Sequence, residues 1–217
     1  LLDPGERARC ETQVPKLLDL AIASVVKRVG PPGGALEDLP DYRSHAVYLG
    51  QLNLALGAYA LVRDDPRYVA VHRRLSDVLH EALAKAGGRP LDSYPDDSWP
   101  FDTIPVLASL RLYDAKTGRP RSEEAVRRHL AWIRDAATHK EWGLPYSRLS
   151  SVHGGEVGPR GCDLSFRLCL LPHLDPAYAG ELYGRYPKQF WLAKGILAGF
   201  AEWPGGATGR EDTDSGP

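Results

Sequence analysis

Methionine is absent from this chain, cysteine occurs three times and phenylalanine four times. A chain without methionine that begins at Leu1 is expected to be a processed form or a piece of a longer protein, with any export signal or anchor lying upstream. The cysteines do not report a compartment. Cys162 and Cys169 stand seven positions apart, two turns along one helix, on the same face but too distant for the roughly 5.5–6 Å between Cα atoms that a disulfide needs. All three, Cys10 included, are expected as free thiols packed as small hydrophobes. An excess of charge is missing as well. A net charge of −1, with arginines scattered rather than clustered beside aromatics, removes the electrostatic case for nucleic acid. No apolar run reaches the roughly 18 residues of a membrane span, the nearest being Ile196 to Phe200 with its short flanks. Nor is there sustained period-two alternation, so strands are not expected beyond a hairpin around Tyr146 to Glu156. A Gly-rich phosphate loop, a dinucleotide fingerprint and a nucleophile elbow are all lacking, which disfavours nucleotide cofactors and serine hydrolysis. No His-x-His or Glu-x-x-His spacing argues for a metal, so neither cofactor nor metal is expected.

What is present is a recurrence. Three times a loop bearing a carboxylate with an aromatic residue or arginine runs into a small, apolar helix, and a more charged helix follows. The loops are Asp41-Tyr42-Arg43-Ser44-His45, Tyr94-Pro95-Asp96-Asp97-Ser98-Trp99-Pro100-Phe101-Asp102 and Gly158-Pro159-Arg160-Gly161-Cys162-Asp163. A fourth, Arg210 to Pro217, arrives in phase and carries Asp212 and Asp214; with Ser-Gly-Pro at a helix-start position, the parent protein is expected to continue. A spacing of roughly 55–60 residues suits a helical hairpin with long loops. The 217 residues are expected to form a single domain.

The first helix is predicted from Pro4 to Val29, kinked or split by Pro15, with an apolar stripe of Leu17, Leu18, Leu20, Ala21, Val25 and Val26. Ser44 to Val62 is almost uncharged and rich in Gly and Ala, the mark of a helix buried on all sides. Asp65-Pro66 opens a charged helix to about Ala86, ended by Gly87-Gly88. Phe101 to Lys116 repeats the inner pattern up to Gly118, and Ser122-Glu123-Glu124 opens a second charged helix through Ala137. A loop from His139 to Arg160 is too long to be mere connection. Asp163 to Leu171 is the third inner helix, and Asp175-Pro176 starts the third outer one, with a kink at Pro187 before Trp191. The class is all-α: antiparallel helical hairpins forming a solenoid or, as the long polar loops on one side favour, an α/α toroid or part of one.

With its small-residue inner helix Tyr48-Leu49-Gly50-Gln51-Leu52-Asn53-Leu54-Ala55-Leu56-Gly57-Ala58-Tyr59 and its Tyr94-Pro95-Asp96-Asp97 loop, the chain resembles the α/α-toroid enzymes. These six-hairpin-like double rings include many glycoside hydrolases, polysaccharide lyases, sugar epimerases and the linalool dehydratase-isomerase. About three and a half hairpins are present here. The resemblance implies a pocket at the N-termini of the inner helices and acid–base chemistry on a sugar-like, small polyol- or terpenoid-like ligand.

Candidate residues follow from the loops. Asp97 and Asp102 flank a Trp-Pro-Phe turn and suit a general acid and base, since hydrolysis or elimination takes one proton and gives another. The competing reading makes Asp102 a helix cap and Asp96 or Asp97 the closure of an Asx-turn. His45, at the first turn of a buried helix, is either an acid–base group or a hydrogen-bonded fixture. Arg160 and Arg167 bracket Asp163, either clamping a sugar acid or pairing with the aspartate to tie hairpins together. Cys162 sits where a helix N-terminus favours a thiolate, but no neighbouring histidine is visible. Tyr42, Tyr94, Trp99 and Tyr146 occupy the rim loops as stacking surfaces, with Asp41, Arg43, Asp96, Arg160 and Asp214 as polar contacts. The whole reads as a hydrolase, lyase or isomerase acting on a small-molecule or carbohydrate ligand. The alternative is a non-catalytic helical scaffold or ligand-binding domain using the same loops.

Overall fold

A computed structural model describes residues 3–30, 44–150 and 155–206. Asp41, Tyr42, Arg43, Asp212 and Asp214 lie outside the described residues. The protein is mostly α-helical. Among the described residues seven helices form two layers: inner α2 (Ala46–Ala60), α4 (Thr103–Thr117) and α6 (Gly161–Leu170), and outer α1 (Pro4–Val29), α3 (Pro66–Ala86), α5 (Glu123–Ala136) and α7 (Pro176–Phe190). Helix α4 is the hub. It packs against α2 on one side and α6 on the other, while α1 and α3 back α2, α3 and α5 back α4, and α7 backs α6.

Local chemistry sets the helix ends. Asp3 accepts from the amides of Gly5 and Glu6 while Glu6 reaches back to Asp3, a capping box ahead of Pro4. Asp65 accepts from Arg67 N ahead of Pro66, and Gly87 and Gly118 close α3 and α4 in the left-handed region at φ 63° and 67°. Pro15 does not split α1, which runs through it as one helix. The buried side of α1 is Leu18 and Val25 with Ala21, Ile22 and Val26, two to three turns seen from α2; Leu17 and Leu20 of the expected stripe face solvent.

The inner helices differ in how deeply they sit. From Thr103 to Leu110, α4 is buried residue after residue. Helix α2 is not enclosed on all sides as expected: Gln51, Ala55 and Ala58 are exposed on successive turns, and in α6 so are Cys162, Ser165 and Cys169. On the buried side of α2, Asn53 donates from Nδ2 to Ser109 Oγ (2.8 Å) and to Ser76 Oγ (3.2 Å), tying α2 to α4 and α3. Gly50 sets the closest approach, since a Cβ there would lie 2.7 Å from Val106 Cγ2 and 3.2 Å from Val106 N. The arginines of the outer helices stay out of the core: Arg73, Arg127 and Arg128 are exposed, whereas Leu107 is fully buried.

Strands are minor. The expected hairpin exists as β2 (Arg148–Ser150) against β3 (Gly155–Val157), and it gains a third, antiparallel member, β1 (Asp97–Ser98), from the loop before α4. A second hairpin, β4 (Trp191–Lys194) with β5 (Leu197–Phe200), was not expected. Helix α7 ends at Phe190, and the chain turns at Gly195-Ile196, with Gly195 at φ 62°. Trp191-Leu192-Ala193-Lys194 carries no period-two alternation because all eight residues of this hairpin are exposed, so no face is selected for polarity.

Candidate functional site

The loop before α4 is built as a platform. Asp97 N donates to Tyr94 O (3.1 Å), and Pro95 followed by Asp96 at φ 59° gives the pattern of a type II turn, with Asp96 exposed at its tip. Ser93 Oγ then receives Trp99 N (3.1 Å) and donates to Trp99 O (3.3 Å), folding the loop back on itself. A turn of 3₁₀ helix, Pro100–Asp102, delivers Phe101 and Asp102 to the mouth of α4.

Beneath this platform lies a cavity of about 270 Å³ lined by Tyr94, Trp99, Phe101 and Phe166, by Val47 and Gln51 of α2, and by Asp102, Arg160, Cys162 and Asp163. Edge-to-face ring contacts run from Trp99 to Phe101 (6.1 Å) and from Phe101 to Phe166 (5.8 Å), so the aromatic wall is one packed unit. Two other depressions, one beside Arg7 and Lys116 and one beside Arg111 and Arg134, are walled by paired surface charges, Lys116 and Arg111 coming from the C-terminal half of α4, and lack buried titratable groups.

Asp102 is 3% exposed and occupies the cap position of α4, yet its side chain caps nothing. Loss of hydration pushes its carboxyl up to about 6; the nearby Asp163 adds to the rise, while the Ser93 hydroxyl and Arg167 oppose it. Asp163, 1% exposed, receives Arg167 Nε on Oδ1 (2.6 Å) and Arg167 Nη2 on Oδ2 (3.2 Å), one turn along α6. Burial nevertheless holds Asp163 above the ordinary carboxylate range against the pull of Arg167. Arg167 also donates to Tyr146 O (3.1 Å). Of the two readings for this arginine, the structure has the buried ion pair that ties α6 to the loop.

Asp97 is turned elsewhere. It accepts from Arg148 Nε on Oδ1 (2.9 Å) and from Trp99 Nε1 on Oδ2 (3.4 Å), fixing β1 to β2 and holding the indole in the wall. His45 flanks α2, its carbonyl accepting from Tyr48 N and Leu49 N, and it is not among the residues that line the cavity. Tyr146 is also outside the lining, with its ring against His139 at 5.8 Å. Of the four proposed acid–base residues, the structure therefore brings Asp102 and Asp163 together and leaves His45 and Asp97 apart; of the rim residues, Tyr94, Trp99 and Arg160 line the cavity.

The residue that sequence reasoning passed over is Glu202. Its Oε1 accepts from Arg160 Nε, its Oε2 from Cys162 N (3.0 Å), and Cys162 Sγ lies 3.1 Å from Oε1. Arg160 is 1% exposed, with its guanidinium 5.7 Å from the Trp99 ring and 5.0 Å from the Trp203 ring. Gly161 makes this approach possible, because a Cβ there would collide with the Ala201 carbonyl. The signal was Glu202-Trp203-Pro204-Gly205, a carboxylate and an aromatic in a turn, the very combination that marked the earlier loops. No group of metal-ligating side chains occurs among the described residues, and no helix among them is long and apolar enough to cross a membrane.

No protein-family model matches the chain.

Proposed function

We propose that the chain is an enzyme of α/α-toroid type that uses acid–base chemistry on a small, largely apolar ligand, sugar-like or terpenoid-like in size, held in the Asp102 cavity. One observation carries this reading: a nearly fully buried carboxyl that caps no helix and lines an aromatic cavity, where loss of hydration pushes it up to about 6. Asp175 and Asp65, at the starts of their helices, are held below the ordinary carboxylate range by amide and arginine donors, whereas at Asp102 burial outweighs the Ser93 hydroxyl and Arg167. A carboxyl that titrates near the operating pH is suited both to give and to take a proton.

The size of the cavity supports one small ring system rather than a polymer chain. Its aromatic rings suit the apolar face of a sugar or an isoprenoid skeleton. Asp163, neutralised by Arg167, contributes field and shape more than proton transfer, which leaves Asp102 as the acid–base group. The layering of α2, α4 and α6 inside α1, α3, α5 and α7 supports the toroid-like arrangement, with the site at the inner-helix N-termini.

The test is turnover of a panel of monosaccharide glycosides, sugar acids and small terpenoid alcohols by the protein and by Asp102→Asn. Turnover of at least one compound that falls 10²–10⁴-fold in the variant with its fold intact is the expected result. Saturable binding of panel compounds without turnover by either protein would establish a ligand-binding domain instead.

A further inference from the structure

Building on the acid–base reading of this pocket, we propose that Cys162 is its nucleophile and Glu202 the acceptor of the thiol proton, so that the site cleaves a small ester or thioester through an S-acyl cysteine. The observation is a juxtaposition of residues forty positions apart in sequence. Glu202 is fixed at three points: Oε1 by Arg160 Nε, Oε2 by Cys162 N, and its main-chain carbonyl by Gly161 N (2.8 Å). The carboxylate is thus held with Oε1 at 3.1 Å from Cys162 Sγ, within the reach of a proton transfer.

Cys162 is the second residue of α6, a ten-residue helix whose first amides favour negative charge on the sulfur. The thiol does not stand alone. It lines the same cavity as Asp102, which is nine-tenths buried and carries no ion pair among the described residues. An acyl carbonyl in that cavity meets a sulfur able to attack its carbon and, at pH below about 6 where Asp102 is protonated, a carboxyl able to donate to its oxygen. The rings of Trp99, Phe101 and Phe166 enclose a short apolar acyl chain.

The steps balance without an oxidant or a further reactant. As the sulfur lone pair bonds to the carbonyl carbon, the Sγ–H proton passes to Glu202 Oε1 and the carbonyl π pair moves to oxygen, where Asp102 donates a hydrogen bond. Collapse of the tetrahedral adduct re-forms the carbonyl and expels the alcohol or thiol, which takes the proton from Glu202. Water then attacks the thioester, yields its proton to Glu202, and the departing sulfur takes it back, leaving the acid and free Cys162.

Cys169 is an internal control, being an exposed thiol two turns along the same helix. The protein is mixed with p-nitrophenyl butyrate, p-nitrophenolate release is followed, and the acylated peptides are mapped by mass. Expected are a burst of one equivalent, butyryl on Cys162 at least tenfold over Cys169 and Cys10, loss of the burst in Cys162→Ala and Cys162→Ser, and acylation slowed about 10²-fold in Glu202→Gln. Cys162→Ser keeps the side-chain shape and its contact with Glu202, so it remains informative where the alanine variant fails to fold. Equal labelling of Cys162 and Cys169, a burst that survives either Cys162 variant, or acylation as fast in Glu202→Gln would overturn the proposal. Loss of turnover in Asp102→Asn with Cys162→Ala unaffected would overturn it while leaving the acid–base reading standing; acylation of Cys162 unaffected by Asp102→Asn would overturn the acid–base reading and the role given to Asp102, leaving Cys162 and Glu202 as nucleophile and proton acceptor.

Discussion

Asp102 sits where a helix cap belongs and does not act as one. Its backbone is already helical and its carboxyl turns into the cavity, so burial is not offset by amide donors. The linkage has a definite sign. A carboxyl raised from 3.8 to about 6 contributes most to stability below pH 3.8, and that contribution is lost as pH rises through 6. At pH 7.5 the buried charge is therefore a cost, on the order of 1–3 kcal/mol. Asp102→Asn should raise Tm by a few degrees at pH 7.5 while lowering turnover by about 10²–10⁴-fold, and the gain should shrink to nothing by about pH 4. Thermal melts across pH check this. A capping aspartate predicts the opposite, a small loss of stability at every pH above 4 with activity retained.

Elements meet here through glycine. Helices α2 and α4 touch at Gly50 against Val106, directly beneath the Asp102 main chain, and α6 meets the segment after β5 at Gly161 against Ala201. Gly50→Ala should cost roughly 1–3 kcal/mol because Val106 cannot withdraw from a packed interface. Gly180→Ala, on the exposed side of α7 with no atom within 4 Å of the new methyl, should instead stabilise by about 0.5–1 kcal/mol. Urea unfolding of both variants reads the contrast. The same scale explains what the amino-acid pattern revealed. Caps, breakers and charge made the helix boundaries plain, since Asp65-Pro66, Gly87 and Gly118 act locally. The β4–β5 hairpin was hidden because exposed strands impose no alternation. The Glu202–Cys162 contact was hidden because only the packing of α6 against the segment after β5 creates it.

Among the described residues, two histidines of the outer layer, His72 and His129, are buried. Burial holds both His72 and His129 down to about 4; the His129 ring meets the Gly88 carbonyl (3.1 Å) and the His72 ring stands edge-on to Tyr113 (5.1 Å). Because their folded values lie below the unfolded 6.5, the stability they leave intact at neutral pH is lost as pH falls from 6.5 toward 4. Asp102, raised to about 6, changes in the opposite direction between pH 6 and 4 and offsets part of that loss in the wild type. In Asp102→Asn one counterweight is gone and the decline should steepen, which urea midpoints at pH 7, 5.5 and 4.5 will show. The two-layer order was legible from alternating uncharged and charged helices. Which loop carboxylates converge was not, since Asp97 and Asp102 are five residues apart yet face different partners, Arg148 and the cavity.

Asp102 is a buried carboxyl that loss of hydration pushes up to about 6. The most direct measurement is ¹³C NMR of protein labelled at the aspartate carboxyl carbons, titrated from pH 3 to 8 and compared with Asp102→Asn to assign the resonance. A single resonance that disappears in the variant and titrates with a midpoint near 6 is the predicted result. A midpoint at or below about 4 would mean an ordinary, stabilised carboxylate, and would contradict the assignment of Asp102 as the proton-transfer group.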